Sequence, residues 1–298
     1  MSKQIPFRGC ATALITPFMA GKPQEIDEDA FAALVHRQAD AGVDALVVAG
    51  TTGEAAALTC EEHTRLITLA RTHAPSLPVI AGCGAPTTSR AIELTKAACQ
   101  AGASAVLVVT PYYNKCSQEG LYRHYTAIAD AAEVPVILYE VPSRTGLHVA
   151  PETCLRLSGH ANIAALKDAT GDLERAAWLN GAARNSLALY AGSDGTVVPM
   201  LSVGAQGVIS VLSNLLPRTV CRMCRAWFSS DPAAACDLQC RCAPLVRMLF
   251  SEVNPIPVKS AMAALGYCSG EFRLPLCRAE EELAEEIVRA IRAFGEDA

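Results

Sequence analysis

One phrase recurs along the chain. Asp40-Ala-Gly-Val-Asp-Ala-Leu-Val-Val-Ala-Gly50 is echoed by Gln100-Ala-Gly-Ala-Ser-Ala-Val-Leu-Val-Val-Thr110, and more loosely by Ser202-Val-Gly-Ala-Gln-Gly-Val-Ile-Ser-Val211. Each copy reads as a helix ending at a glycine, a two- or three-residue link, and a short apolar run. Glycine just past a helix takes the left-handed conformation that satisfies the last carbonyls. Continuous apolar runs, as opposed to alternating ones, suit strands buried on both faces of a parallel sheet. A chain written in this phrase is confined to α/β architectures.

Eight such runs occur: Ala11–Ile15, Ala45–Ala49, Val79–Ala81, Ala105–Val109, Val136–Tyr139, Ala164–Lys167, Ala188–Ala191 and Gly207–Val211. Amphipathic segments separate them, opened by cap-like starts at Asp27, Thr59, Thr87 and Ser117. Eight alternating pairs predict a (β/α)8 TIM barrel. A doubly wound open sheet is the alternative, but no strand is followed by its Gly-x-Gly-x-x-Gly turn. After Val211 the remaining chain reads as helices over Leu216–Ser229, Pro232–Phe250, Pro255–Gly266 and Glu280–Phe294. The first closes the barrel. The spacing therefore predicts a catalytic barrel over residues 1–230 and a C-terminal helical extension over 231–298.

Composition supports a well-buried chain. Of 298 residues, 51% are hydrophobic and only 18% charged, so apolar burial readily offsets chain entropy. A net charge of −5 argues against a nucleic-acid partner, which needs a basic stripe. No apolar run is long enough to cross a membrane and no secretory leader is evident. The thirteen cysteines, an odd number in a chain of this size, read as reduced thiols in a cytoplasmic protein and not as a disulfide framework.

In a barrel of this kind the chemistry sits at the C-terminal ends of the strands. Those ends carry Thr16-Pro17, Gly50-Thr-Thr-Gly-Glu54, Gly82-Cys-Gly-Ala85, Thr110-Pro-Tyr-Tyr-Asn114, Tyr139-Glu-Val-Pro-Ser-Arg-Thr-Gly146, Lys167-Asp-Ala-Thr-Gly171 and Gly192-Ser-Asp-Gly195. Lys167, one of six lysines, ends an apolar run. A lysine there can simply snorkel to water. Removed from water beside hydroxyls, an amine favours its neutral form and is nucleophilic toward a carbonyl. The Gly50–Glu54 turn can cap a helix or cradle a carboxylate with backbone N–H groups and the hydroxyls of Thr51 and Thr52. Tyr112, Tyr113 and Tyr139 are wall residues or proton carriers. Arg144 is either a solvated loop charge or a fork for a substrate carboxylate.

Other signals lead nowhere. Ala191-Gly-Ser-Asp-Gly195 lacks the first glycine of a nucleophile elbow, and the six histidines form no His-x-x-x-His pair. Cys221, Cys224, Cys236, Cys240 and Cys242 recur at helix-like spacing, where small apolar packing is commoner than zinc ligation. No metal site is expected. Cys83 and Cys116, near the mouth, are the two thiols singled out for reactivity.

Taken with Asn254-Pro-Ile-Pro-Val-Lys259, these motifs make the chain, from about Phe7 onward, resemble the dihydrodipicolinate synthase family. That family belongs to the Schiff-base class I aldolases that include N-acetylneuraminate lyase. The resemblance implies that Lys167 forms an imine with pyruvate, with no other cofactor. The derived enamine adds to aspartate 4-semialdehyde, and the substrate amine then displaces the lysine to close a ring. It further implies a proton relay of Tyr139, Thr51 and Tyr113. Thr51 and Thr52 hold the pyruvate carboxylate, Arg144 holds the semialdehyde carboxylate, and Gly192 and Ile209 line the lysine's pocket. Tyr113 reaches into a neighbouring subunit, which implies a homotetramer built as a dimer of dimers.

Two positions depart from the family pattern. Residue 140 is Glu where Asn is usual; alternation turns it away from Tyr139, yet a carboxylate there can still reach Arg144 and compete with substrate. A sibling lyase acting on a sugar acid is therefore the alternative, and a barrel that binds a keto acid without turnover is the third reading. The other departure lies where feedback by lysine is read. His63 and Tyr112 match regulated members, but Pro86 and Arg90 replace an amide and an acid, so insensitivity to lysine is expected.

Overall fold

The computed structural model describes residue 3, residues 5–184 and residues 186–295. Its strands are β1 (Gly9–Ala13), β2 (Phe18–Met19), β3 (Lys22–Ile26), β4 (Ala45–Val48), β5 (Val79–Gly82), β6 (Ala105–Val109), β7 (Val136–Glu140), β8 (Ile163–Asp168), β9 (Ala188–Ala191) and β10 (Gly207–Ser210). Its α-helices are α1 (Glu28–Ala41), α2 (Cys60–His73), α3 (Thr88–Gln100), α4 (Gln118–Ala131), α5 (Pro142–Thr145), α6 (Pro151–Ser158), α7 (Leu173–Ala183), α8 (Val197–Ser202), α9 (Pro217–Phe228), α10 (Pro232–Leu249), α11 (Ile256–Ala264) and α12 (Glu281–Arg292). All strands except β2 and β3 are parallel and close into a barrel, with β1 between β4 and β10. This is the (β/α)8 barrel that the eight apolar runs predict.

The recurring phrase works as its chemistry requires. Gly42, Gly102 and Gly204 follow α1, α3 and α8 at φ of 75°, 89° and 98°, which a side chain resists. Asp27, Thr59, Thr87 and Ser117 each accept a backbone N–H at the start of the next helix, and Thr59 forms a capping box with Glu62. Inside the barrel the residues are mostly small or branched: Ala11, Ala13, Ala45, Ala105 and Ala165 beside Val47, Ile80, Ile137 and Ile209. Phe7 lies in this interior, stacked on Tyr190 at 4.2 Å between ring centroids.

The boundaries shift in places. β1 runs two residues earlier than its apolar run suggests, because Gly9 to Thr12 pair with β10 while Ile15 has already turned out of the sheet. The β2–β3 hairpin was not anticipated; two residues facing five mostly exposed polar ones leave no periodic signal. Arg144 lies on the one-turn helix α5 where a loop was expected. α9 packs beside α1 and α8 and completes the helical ring.

α10 lies against α8 and α9, α11 and α12 pack on α10 and on each other, and the segment between α11 and α12 borders the cavity at the mouth. Lys259 of α11 and Glu54 after β4 form a fully buried ion pair at 2.6 Å, with the amine 4.1 Å from the ring centre of Phe18. Arg273 donates to the carbonyls of Pro23, Gln24 and Ala57 and to Glu62. The extension is thereby fastened to the first two βα units.

The five cysteines of α9 and α10 divide by burial: Cys221, Cys224 and Cys242 are buried, while Cys236 and Cys240 are exposed. Among the described residues no three His, Cys, Asp or Glu side chains are grouped to hold a metal ion, and no helix is long and apolar enough to cross a membrane. Cys83 is fully buried, and that burial pushes its thiol far above the ordinary range; burial raises Cys116 too. The structure thus corrects the reactivity expected of these two, since the thiolate is the reactive form.

Two outcomes follow. A thiol reagent at mild alkaline pH labels Cys236, Cys240 and Cys277, the exposed cysteines, and spares Cys83 until the chain unfolds; rapid labelling of Cys83 in the native protein would contradict this packing. Lys259→Met strands a buried carboxylate and costs about 3–5 kcal/mol in denaturant unfolding, most of which the added Glu54→Gln recovers. Equal stability of Lys259→Met and the unaltered chain would show the pair to be idle.

Candidate active site

Pairing of β7 with β8 sets Tyr139 opposite Lys167. Both point into the barrel at its C-terminal end, and Lys167 is only 6% exposed. Its amine lies 4.1 Å from the centre of the Tyr139 ring. The next strand end can approach because residue 192 has no side chain. A Cβ on Gly192 would sit 2.8 Å from the Asp168 carbonyl, and the Gly192 N–H donates to that same carbonyl at 2.7 Å. Ile209 on β10 is buried in the barrel interior.

The Gly50–Glu54 turn is wound tightly by bonds from the N–H groups of Gly53 and Ala55 to the Gly50 carbonyl. Ala49 and Glu54 both take positive φ, 51° and 56°, a conformation costing on the order of 1–3 kcal/mol each outside glycine. Thr16 donates to the Gly53 carbonyl at 2.7 Å, and the Lys259 pair holds Glu54 from the other side. Thr51 is left facing the cavity, while Thr52 is buried and accepts from Asn254 Nδ2 at 3.1 Å.

Thr51, Tyr139 and Arg144 line one cavity of about 570 Å³. Arg144 is exposed at its rim and donates to the Asn254 carbonyl at 2.6 Å. Asn254 therefore ties Thr52 and Arg144 together, and its buried Oδ1 has no partner. The motif containing Asn254 was visible in the sequence, but nothing there joined it to residues some 110 and 202 positions away. Asp194 escaped notice as well. It is fully buried, accepts from Ser210 and from the N–H groups of Val211 and Leu212, and its carboxyl is raised by burial although those bonds and the nearby Lys167 oppose the shift.

Tyr113 is 97% exposed, at φ 65°, and stands outside its own chain's cavity. One expectation changes: Glu140 does not reach Arg144. It is buried behind the sheet, bonded to Arg175 at 2.5 Å, to the Val149 N–H and to His148. The same cavity is also lined by His63, Pro86, Arg90 and Tyr112. There His63 is held against the Gly82 carbonyl and burial keeps its ring below the usual histidine range, while Arg90 pairs with Glu93.

The whole chain is similar to known proteins. The model of the dihydrodipicolinate synthetase family matches residues 6–294. The 4-hydroxy-tetrahydrodipicolinate synthase of Trichlorobacter lovleyi is 45% identical over 91% of this chain and 92% of its own. Among solved structures, the chloride-inhibited dihydrodipicolinate synthase of Acinetobacter baumannii complexed with pyruvate is 42% identical, with a TM-score of 0.93 over 97% of this chain and 99% of that one. The enzyme of Cyanidioschyzon merolae with lysine bound is 38% identical, with a TM-score of 0.94 over 98% and 99% of the two chains. A closed eight-stranded barrel with a lysine and a tyrosine side by side at its mouth, matched end to end by that model, places the chain in the dihydrodipicolinate synthase family.

Proposed function

We propose that the chain condenses pyruvate with aspartate 4-semialdehyde to give 4-hydroxy-tetrahydrodipicolinate, the step that leads toward diaminopimelate and lysine. One observation carries this reading: a buried lysine amine is packed against the ring of a tyrosine that lines a cavity bordered also by an arginine. Lys167 Nζ adds to the keto carbon and, as water leaves, becomes an imine. Loss of a methyl proton gives the enamine, which bonds to the aldehyde carbon. The amine of the second substrate then attacks the imine carbon, closes the ring and frees Lys167. The chemistry runs through the lysine imine and takes no cofactor.

The residues divide by the chemistry they offer. Tyr139, with Thr51 and Tyr113, carries protons; Thr51 and Thr52 hold the pyruvate carboxylate; Arg144 offers a charged fork to the second carboxylate. Gly192 and Ile209 shape the space around Lys167. The exposure of Tyr113 supports its insertion into a second copy, hence a dimer and, from two of these, a homotetramer. A cytoplasmic setting suits thirteen free thiols. The reading as a sugar-acid lyase loses its motive, because Glu140 is bound to Arg175 behind the sheet.

Borohydride added with pyruvate traps the pyruvyl adduct on Lys167, found by peptide mapping; an unlabelled Lys167 would remove the imine mechanism. Ring formation from aspartate semialdehyde, against pyruvate release from N-acetylneuraminate, separates the two activities. Arg144→Gln lowers kcat/KM for the semialdehyde about 10–100-fold, the worth of a charge-assisted contact, while pyruvate trapping persists. Free lysine at sub-millimolar concentration leaves the rate unchanged, because the Arg90 guanidinium lining the cavity repels a cationic side chain; half-inhibition in that range would refute this.

A further inference from the structure

We propose that Arg175 is a positioning residue for the imine chemistry: by bridging Glu140 and Asp168 behind the sheet, it holds Lys167 against Tyr139. The inference rests on the reading of Lys167 given above. Tyr139 pairs with Lys167 in the sheet, and Glu140 with Asp168 directly after them. Alternation sends the first pair inward and the second outward. Two carboxylates on neighbouring strands, both buried to within 1% exposure, repel one another. Left alone they would part the strand ends that carry the reacting groups.

Arg175, on α7 and 11% exposed, closes this gap. Nη1 donates to Asp168 at 2.7 Å and Nη2 to Glu140 at 2.5 Å, with a further bond from Nη2 to the Val149 carbonyl at 2.8 Å. A planar guanidinium spans two carboxylates; an ammonium does not. The remaining oxygens are also engaged. Glu140 Oε1 accepts from the Val149 N–H at 3.1 Å and meets His148, while Asp168 Oδ1 accepts from the N–H and hydroxyl of Thr170. The α7 cap fixes the arginine's own backbone, since Asp172 accepts the Arg175 N–H at 2.9 Å. Neither carboxylate can turn without breaking several bonds.

The step that reports this placement is imine formation, in which Nζ bonds to the keto carbon and the ketone oxygen leaves as water after taking up protons. Displacing a reacting group by about 1 Å costs about 100-fold in rate. The test compares Arg175→Met and Arg175→Lys with the unaltered chain. The maximal rate of imine formation is read by borohydride quench and intact mass across pyruvate concentrations. Arg175→Met slows that rate about 10–100-fold, and the half-saturating pyruvate concentration moves less than about 2-fold, because the threonine cradle lies in the turn after β4, away from β7 and β8. Arg175→Lys restores part of the loss. Should Arg175→Met not fold, Arg175→Lys decides, because an ammonium keeps the charge without spanning both carboxylates: a fall of about 3-fold or more in the maximal rate supports the role. Native-like variants that form the imine at the unaltered rate, or whose loss lies wholly in half-saturation, overturn the positioning role alone. No imine in the unaltered chain overturns the functional reading and this inference with it.

Discussion

Closing eight parallel strands on themselves is the constraint from which the rest of this structure follows. A closed barrel has no free edge, so each strand is paired on both sides and its register is shared round the ring. Side chains must then alternate strictly between interior and helical layer. At β7 and β8 this places Tyr139 and Lys167 in the mouth and commits Glu140 and Asp168 to the outside. The chemistry on one face and the ion cluster on the other come from the same register. A slip by one residue would exchange them.

The mouth also stores unfavourable terms that something else must hold. Ala49 and Glu54 sit at positive φ, and Glu54 is a carboxylate with almost no access to water. Lys259 offsets the charge, the Arg273 N–H gives Glu54 a further donor, and Thr16 fixes the Gly53 carbonyl. Buried ion pairs contribute little net stability, but breaking one is costly. Their effect here is to pin the far end of the turn that presents Thr51, at Gly53 and Glu54. The C-terminal extension thus matters to a site whose cavity it borders through Asn254, Pro255 and residues 273–276.

What the sequence made legible was local. The helix–glycine–strand phrase, the four caps and the polar strand ends depend on neighbours within a few residues, and each stands where the pattern put it. Lys167, Tyr139, Thr51 and Arg144 could be picked out because strand ends are local features and the barrel brings them to one end. The hairpin of β2 and β3 escaped because it is short and mostly solvated. The Lys259–Glu54 pair joins residues 205 positions apart, and the Asn254–Thr52 bond 202; no spacing rule spans such separations. Glu140 is the instructive case. Its outward direction was legible from alternation, but its partner was not, since Arg175 meets it only once α7 has packed behind β7 and β8. Cys83 misled for the opposite reason: nearness to the mouth in sequence said nothing of its burial.

Depth within the mouth gives the proposed reaction its order. Lys167 is almost wholly buried, whereas Arg144 stands exposed at the rim, held only through the Asn254 carbonyl. A small keto acid must pass the rim to reach the amine, and a second anion seated on Arg144 would stand in its way. The inner substrate therefore loads first, and the outer one meets a carbon nucleophile already formed. The net negative charge of the chain does not oppose this sequence. Surface carboxylates more than about 8 Å away are screened at physiological salt, so the field an incoming anion meets is set by the nearest fixed charge. With Glu140 buried behind the sheet and bound to Arg175, that charge at the rim is the guanidinium of Arg144.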